Sequence, residues 1–172
     1  MARTAKGQGE AREKAPAERG LTAEGGCACG KVRLQIDVPA VWAWHDHSEA
    51  SRRAQGCAYV TYVGSWKSRF RVLRGDDWIA RFEEPETGAV RSFCSACGTP
   101  VFYERKRAPR MVNIPRALFE TRTGREPRYH LALEQMVDWI YQGEPLAPLK
   151  GYPGVMWQRP KRKPKRDPRV TF

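Results

Sequence analysis

The stretch "RSFCSACGTPVFYE", residues 91–104, reads as two short strands meeting at a Gly98-Thr99-Pro100 turn. A turn of that kind needs no thiols, yet Cys94 and Cys97 sit at its entrance. A second tight pair, Cys27 and Cys29, lies in "GGCACGK" (25–31), and in both pairs a glycine follows the second cysteine directly. Glycine there lets the backbone turn so that several N–H groups point at sulfur while both thiolates face one point. Two such turns supply the four sulfurs of a tetrahedral zinc site, with no position left for substrate. The competing uses of paired cysteines fit less well. Disulfides belong to oxidising compartments, and a redox-active Cys-X-X-Cys normally opens a helix, whereas Cys97 leads into another strand. A buried structural zinc would instead tie two distant hairpins together.

Working outward, "KVRLQIDV" (31–38) alternates strictly: Val32, Leu34, Ile36 and Val38 fall on one face, with Lys31, Arg33, Gln35 and Asp37 on the other. That pattern predicts a half-buried strand. Further strands are predicted at 57–63, 69–73, 78–83, 90–93, 101–104 and 111–114, separated by Gly-Asp, Pro-Glu-Thr-Gly and similar turn chemistry. The order suggests antiparallel sheets. One short helix is expected late, at "LEQMVDWIYQ" (133–142), where Met136, Val137, Ile140 and Tyr141 fall at helical spacing before Gly143.

The chain of 172 residues carries a net charge of +12, but location changes its meaning. Residues 159–172 hold seven basic residues against Asp167 alone, a net +6, and residues 1–20 add +2, which leaves +4 for the centre. Residues 1–20 have almost nothing to bury and are expected to be a disordered tail. Residues 158–172 form a basic, proline-rich second tail, and 21–157 form one domain. No run approaches the length of a membrane span. The amino-terminal stretch lacks the apolar core of a secretory signal, so a cytoplasmic, reducing location is expected.

The two cysteine motifs, together with "PRYHLALEQMVDW" (127–139) and "PLKGYPG" (148–154), resemble the family of glutathione-dependent formaldehyde-activating enzymes and centromere protein V. The resemblance implies a mainly β, Mss4-like antiparallel fold in which Cys27, Cys29, Cys94 and Cys97 hold a structural zinc. It also implies a second, catalytic zinc in a central Cys-His-Cys-X-X-Cys segment. Here that segment is "WAWHDHSEASRRAQG" (42–56): the first cysteine becomes His45, the histidine Asp46, the second cysteine His47 and the third Ala50 or Ser51. In an extended stretch His45 and His47 project to one side and Asp46 to the other, and two imidazoles so spaced can bind a divalent ion. Glu49, Cys57 and His130 are candidate third ligands.

The family chemistry adds a glutathione thiol to formaldehyde, so the expected activity is of the carbon–sulfur lyase type, on a small-molecule thiol or aldehyde adduct. Arg52 and Arg53 would neutralise a carboxylate of glutathione, or be a solvated surface pair. Cys57 reads as a small buried apolar residue rather than a nucleophile, His130 as a hydrogen-bonded structural one, and Trp42 and Trp44, which flank the histidines, as core or as the walls of a pocket. The alternative function is a non-enzymatic zinc-stabilised module that binds nucleic acid or another polyanion through the carboxy-terminal tail.

Overall fold

The structure, a computed structural model, describes residues 20–140 and 146–158. Of the two tails expected from the sequence, 1–20 and 158–172, all but Gly20 and Gln158 lie outside the described residues, as do the last two residues of the 133–142 segment.

Two sheets make up the fold. In the smaller, β1 (Thr22–Gly26), β2 (Arg33–Asp37) and β5 (Phe70–Arg74) run in the order β1-β2-β5. The larger contains β3 (Trp42–Asp46), β4 (Val60–Trp66), β6 (Ile79–Glu83), β7 (Val90–Cys94), β8 (Pro100–Glu104), β9 (Met111–Pro115), β10 (Tyr129–Leu131), β11 (Ala147–Pro148) and β12 (Val155–Trp157). Its nine strands lie in the order β11-β12-β10-β3-β4-β9-β8-β7-β6. All of its pairings are antiparallel except β10 with β3, which is parallel.

The alternation in 31–38 explains why the sheets pack. Val32, Leu34 and Ile36 are fully buried, and they meet Ala43, Val63, Val101, Val112 and Ile114 from the larger sheet in one apolar cluster. Each of the Val, Leu and Ile side chains contributes roughly 1.5–3 kcal/mol. On the opposite face of the large sheet, Trp44, Tyr62, Tyr103, Val60 and Ala89 form a second cluster. This assigns Trp44 to core, and Trp42 stacks on Tyr129 at 4.8 Å.

Two expectations are corrected here. The helix among the described residues is α1 (Glu49–Gln55), not a late one. At 133–142 the chain makes a 3-10 turn, Leu133–Gln135, entered through Ala132 at φ 53° and left through extended Met136. The helical spacing of Met136 and Ile140 loses because Gln135 is used elsewhere: its side chain accepts from Glu49 N–H at 2.9 Å and its carbonyl from Arg52 at 3.2 Å. Cys57, read as buried, is exposed in the loop before β4, where its thiol donates to the Tyr59 carbonyl at 3.1 Å.

Arg91 and Glu84 form a largely enclosed ion pair, with side chains 13% and 15% exposed. Thr87 donates to the same carboxylate at 2.6 Å, and the guanidinium lies 5.2 Å from the Tyr103 ring. Burial raises the Glu84 pKa, but hydrogen bonds from Thr87 and Arg91 outweigh it and hold the group below the usual carboxylate range. A carboxylate depressed in the folded state stabilises above its unfolded pKa, and that contribution disappears as pH falls through the folded pKa. Urea midpoints should therefore drop below about pH 4, and Glu84→Gln should flatten that limb. Arg91→Met at pH 7 should cost about 3 kcal/mol by leaving Glu84 unpaired; an unchanged midpoint would show that the pair is idle.

Candidate metal centre

The turn between β7 and β8 and the loop between β1 and β2 are built alike. Cys27 C=O accepts from Gly30 N–H at 2.9 Å, and Cys94 C=O accepts from Gly98 N–H at 2.8 Å. Both glycines sit at φ +73°, the left-handed region that a side chain resists. The sulfurs of Cys27, Cys29, Cys94 and Cys97 thereby come together, and all four lie within 4.8 Å of one another. Cys27 and Cys29 are 3.4 Å apart, Cys29 and Cys94 3.8 Å. Tetrahedral zinc with Zn–S near 2.3 Å sets an S···S edge of about 3.8 Å, so the spacing suits one ion. All five cysteines are free, and four of the sulfurs gather about one point rather than pairing off in two bonds.

The surroundings also suit a cation. Val32 N–H donates to Cys27 Sγ at 3.2 Å, and Thr99 Oγ1 lies 3.2 Å from Cys97 Sγ. Hydrogen bonds from Thr99 bring the Cys97 thiol down to about 5, whereas at Cys29 the lowering hydrogen bond from Lys31 N–H is outweighed by partial desolvation and the three neighbouring sulfurs, which push it up to about 11. Four sulfurs this close ionise together only around a positive charge. The expectation of a wholly buried ion needs correction: Cys27 and Cys94 are buried, but Cys29 and Cys97 are exposed, so the cluster lies at the surface with half of its sulfur on the solvent side.

A second cluster lies at the end of β3. Asp46, 3% exposed, turns away from the histidines: Oδ1 accepts from Ser48 N–H at 3.0 Å and Oδ2 from Ser51 Oγ at 3.1 Å. Ser48 also caps α1, accepting from Ser51 N–H, and Gly56 closes it in the left-handed conformation. This tight strand-to-helix corner fixes His47, whose N–H donates to Leu131 C=O at 3.0 Å. His45 stands beside His130 in the parallel register, with ring centroids 4.8 Å apart. His47 stacks on His130 at 5.1 Å, with Nε2 of His47 2.9 Å from Nδ1 of His130.

Burial brings His45 and His130 down to about 4, and it lowers His47 as well. All three rings are therefore neutral near pH 7, the form that ligates metals. Tyr59 covers the cluster, its ring 5.1 Å from His45 and 5.2 Å from His47.

His45 and His47 are thus brought together, with Asp46 opposite, as the sequence predicts. Of the candidate third ligands only His130 joins them. Glu49 pairs instead with Arg53 one helical turn on, at 2.7 Å, and Cys57 hydrogen-bonds its own loop. Arg52 donates to the carbonyls of His47 at 3.1 Å and Gln135 at 3.2 Å, so its guanidinium braces the corner. Arg53 is 81% exposed. It lines a cavity of about 820 Å³ between α1 and the large sheet, together with Ala54, Phe82, Arg91 and Tyr103.

The arrangement is accounted for by ancestry. The sequence model of the glutathione-dependent formaldehyde-activating enzyme family matches residues 22–135, a span that includes both cysteine pairs and all three histidines. The chain belongs to that family. The fold is shared with a crystallographically determined Rhodobacter sphaeroides protein from a structural genomics programme. It is 23% identical, with 58% of this chain and 89% of that chain covered and a TM-score of 0.50. The matched span holds the four-cysteine cluster and, at the end of β3 and just beyond it, His45 and His47.

Proposed function

We propose that the chain is a cytoplasmic, zinc-stabilised lyase of the formaldehyde-activating type, working on the adduct of glutathione with a small aldehyde. Membership of the family supports the reaction class. The observation that carries the reading is the convergence of His45 and His47, at the family's second-site positions, beneath the half-exposed ring of Tyr59. In the synthetic direction the glutathione sulfur forms a bond to the aldehyde carbon, the π electrons of C=O pass to oxygen, and the thiol proton ends on that oxygen. A divalent ion with an open position polarises the carbonyl and stabilises the thiolate. His45 and His47 would hold that ion.

No helix among the described residues is long and apolar enough to cross a membrane. We assign a glutathione carboxylate to Arg53, since the donors of Arg52 are engaged by backbone carbonyls; the Glu49–Arg53 pair is a surface pair, cheap to exchange.

NMR exchange spectroscopy on glutathione and formaldehyde should show faster adduct exchange with catalytic amounts of the protein. The double variant His45→Ala/His47→Ala should return the rate to background. A wild-type rate equal to the uncatalysed one rejects the assignment.

The net +6 of residues 159–172 favours one alternative, a non-enzymatic module binding nucleic acid or another polyanion. Binding to a DNA duplex would then fall steeply between 50 and 200 mM salt, by roughly a thousandfold for six phosphate contacts. It would disappear when residues 159–172 are deleted; retention by the truncated chain would exclude the tail as its cause.

A further inference from the structure

We propose that His130 completes, with His45 and His47, an all-nitrogen site for one divalent transition-metal ion, separate from the four-cysteine cluster. The proposal rests on the reading of the His45–His47 segment as the second centre, and it adds a ligand from a different part of the chain and a donor set of another chemistry.

The topology makes the site. β10 is the strand that runs parallel to its neighbour, and its register sets His130 directly beside His45. Residues paired in this way project to the same face, and His47, one further step along the alternation, stacks on His130. The separation of 2.9 Å between His47 Nε2 and His130 Nδ1 is close to the roughly 3.3 Å between two nitrogens on one tetrahedral ion with metal–nitrogen bonds of about 2.0–2.1 Å.

The polar groups of the cluster are also under-satisfied. A pair of neutral imidazoles facing nitrogen to nitrogen shares one hydrogen, and Nδ1 of His47 is buried with no partner among the described residues. His45 Nδ1 pairs with Thr61 Oγ1 at 2.9 Å, the outer hydrogen bond that orients a ligating histidine and leaves Nε2 for the ion. The rings are packed but not yet closed on one point: the four cysteines alone, among the described residues, have all ligand atoms within 4.8 Å of one another.

The donor set decides the ligand class. Asp46 is committed to Ser48 and Ser51, and the Cys57 thiol to the Tyr59 carbonyl. Three imidazoles suit zinc, cobalt, nickel or copper. Being uncharged, they leave the full dipositive charge on the ion, whereas three thiolates reverse it. The open position can therefore polarise an oxygen ligand such as an aldehyde, its hydrate or a carboxylate.

The test is a metal count and a spectrum, independent of turnover. Full-length, tag-free protein carrying one zinc per chain should take up one equivalent of Co2+ with visible nitrogen-ligand bands and no near-ultraviolet sulfur charge transfer. His45→Ala, His47→Ala and His130→Ala should each lose that equivalent, while Cys57→Ala keeps it. Because a variant at β10 could misfold, wild-type protein with 15N-labelled histidine provides a second readout: Zn2+ should shift ring nitrogens of all three histidines together. The proposal is overturned if wild type binds no second equivalent, if His130→Ala still binds it, or if the His130 nitrogens stay unmoved. Cobalt uptake without adduct turnover would sink the lyase reading and leave the site. Turnover with a metal that His130→Ala retains would do the reverse.

Discussion

Replacing Cys94 with Ser should leave a chain without a cooperative thermal transition. Cys94 is fully buried, and its sulfur lies 3.8 Å from that of Cys29, which joins the β7–β8 turn to the loop after β1. A structural zinc site contributes on the order of 10 kcal/mol or more, comparable to the whole stability of a domain, about 5–15 kcal/mol. Losing one of four ligands at the buried side of the cluster therefore removes most of the margin. Scanning calorimetry should show no unfolding peak for Cys94→Ser, and a strong chelator should erase the wild-type peak. Cys29→Ser, on the exposed side, should keep a weakened transition. A chelated wild type that melts where the untreated protein melts would mean that the cluster holds nothing the fold depends on.

Gly25→Ala is the second large effect expected, and it has no connection to metal. Gly25 bridges Phe119, and the backbone of the 118–119 segment passes directly over it. A methyl group built there runs into the Leu118 carbonyl oxygen, with Leu118 C at 2.7 Å and Phe119 Cα at 2.9 Å. These are backbone atoms, so no rotamer change relieves them. Glu120 N–H donates to the Glu24 carbonyl at 3.0 Å on the same crossing, and displacing the segment would break that bond as well. The cost should be about 3 kcal/mol or more, at the upper end for overpacking. Gly56→Ala provides the contrast: its φ of +63° is strained for alanine, yet nothing lies within 4 Å, so about 1 kcal/mol is expected. Urea denaturation of the two variants should rank them in that order. Equal midpoints would show that the 118–119 crossing yields freely.

Much of this architecture was legible locally. Strict alternation from Val32 to Ile36 announced β2 and its buried face, and the Cys-X-X-Cys-Gly-Thr-Pro run announced the β7–β8 turn, because both are written in consecutive residues. The same holds for His45 and His47, whose common side follows from the pleat of β3. α1 escaped notice because EASRRAQ has no apolar period and buries only Ser51. Its signals were its ends, Ser48 and Gly56. The false helix at 133–142 had the opposite defect, a convincing period interrupted at Gln135, whose side chain is held by Glu49 N–H and whose carbonyl is held by Arg52. His130 could not be placed from its own neighbours, since its position is set by a parallel pairing with residues far earlier in the chain. Thiol exposure was equally hidden: nothing in the two motifs distinguishes Cys29 and Cys97, which face outward, from Cys27 and Cys94.

The parallel joint between β10 and β3 also imposes a schedule on biosynthesis. A nascent polypeptide emerges amino terminus first and folds as it does so. The sulfur quartet has all its members once Cys97 is out, while the imidazole trio must wait for His130. A growing chain can thus be locked by its first centre before its second can exist.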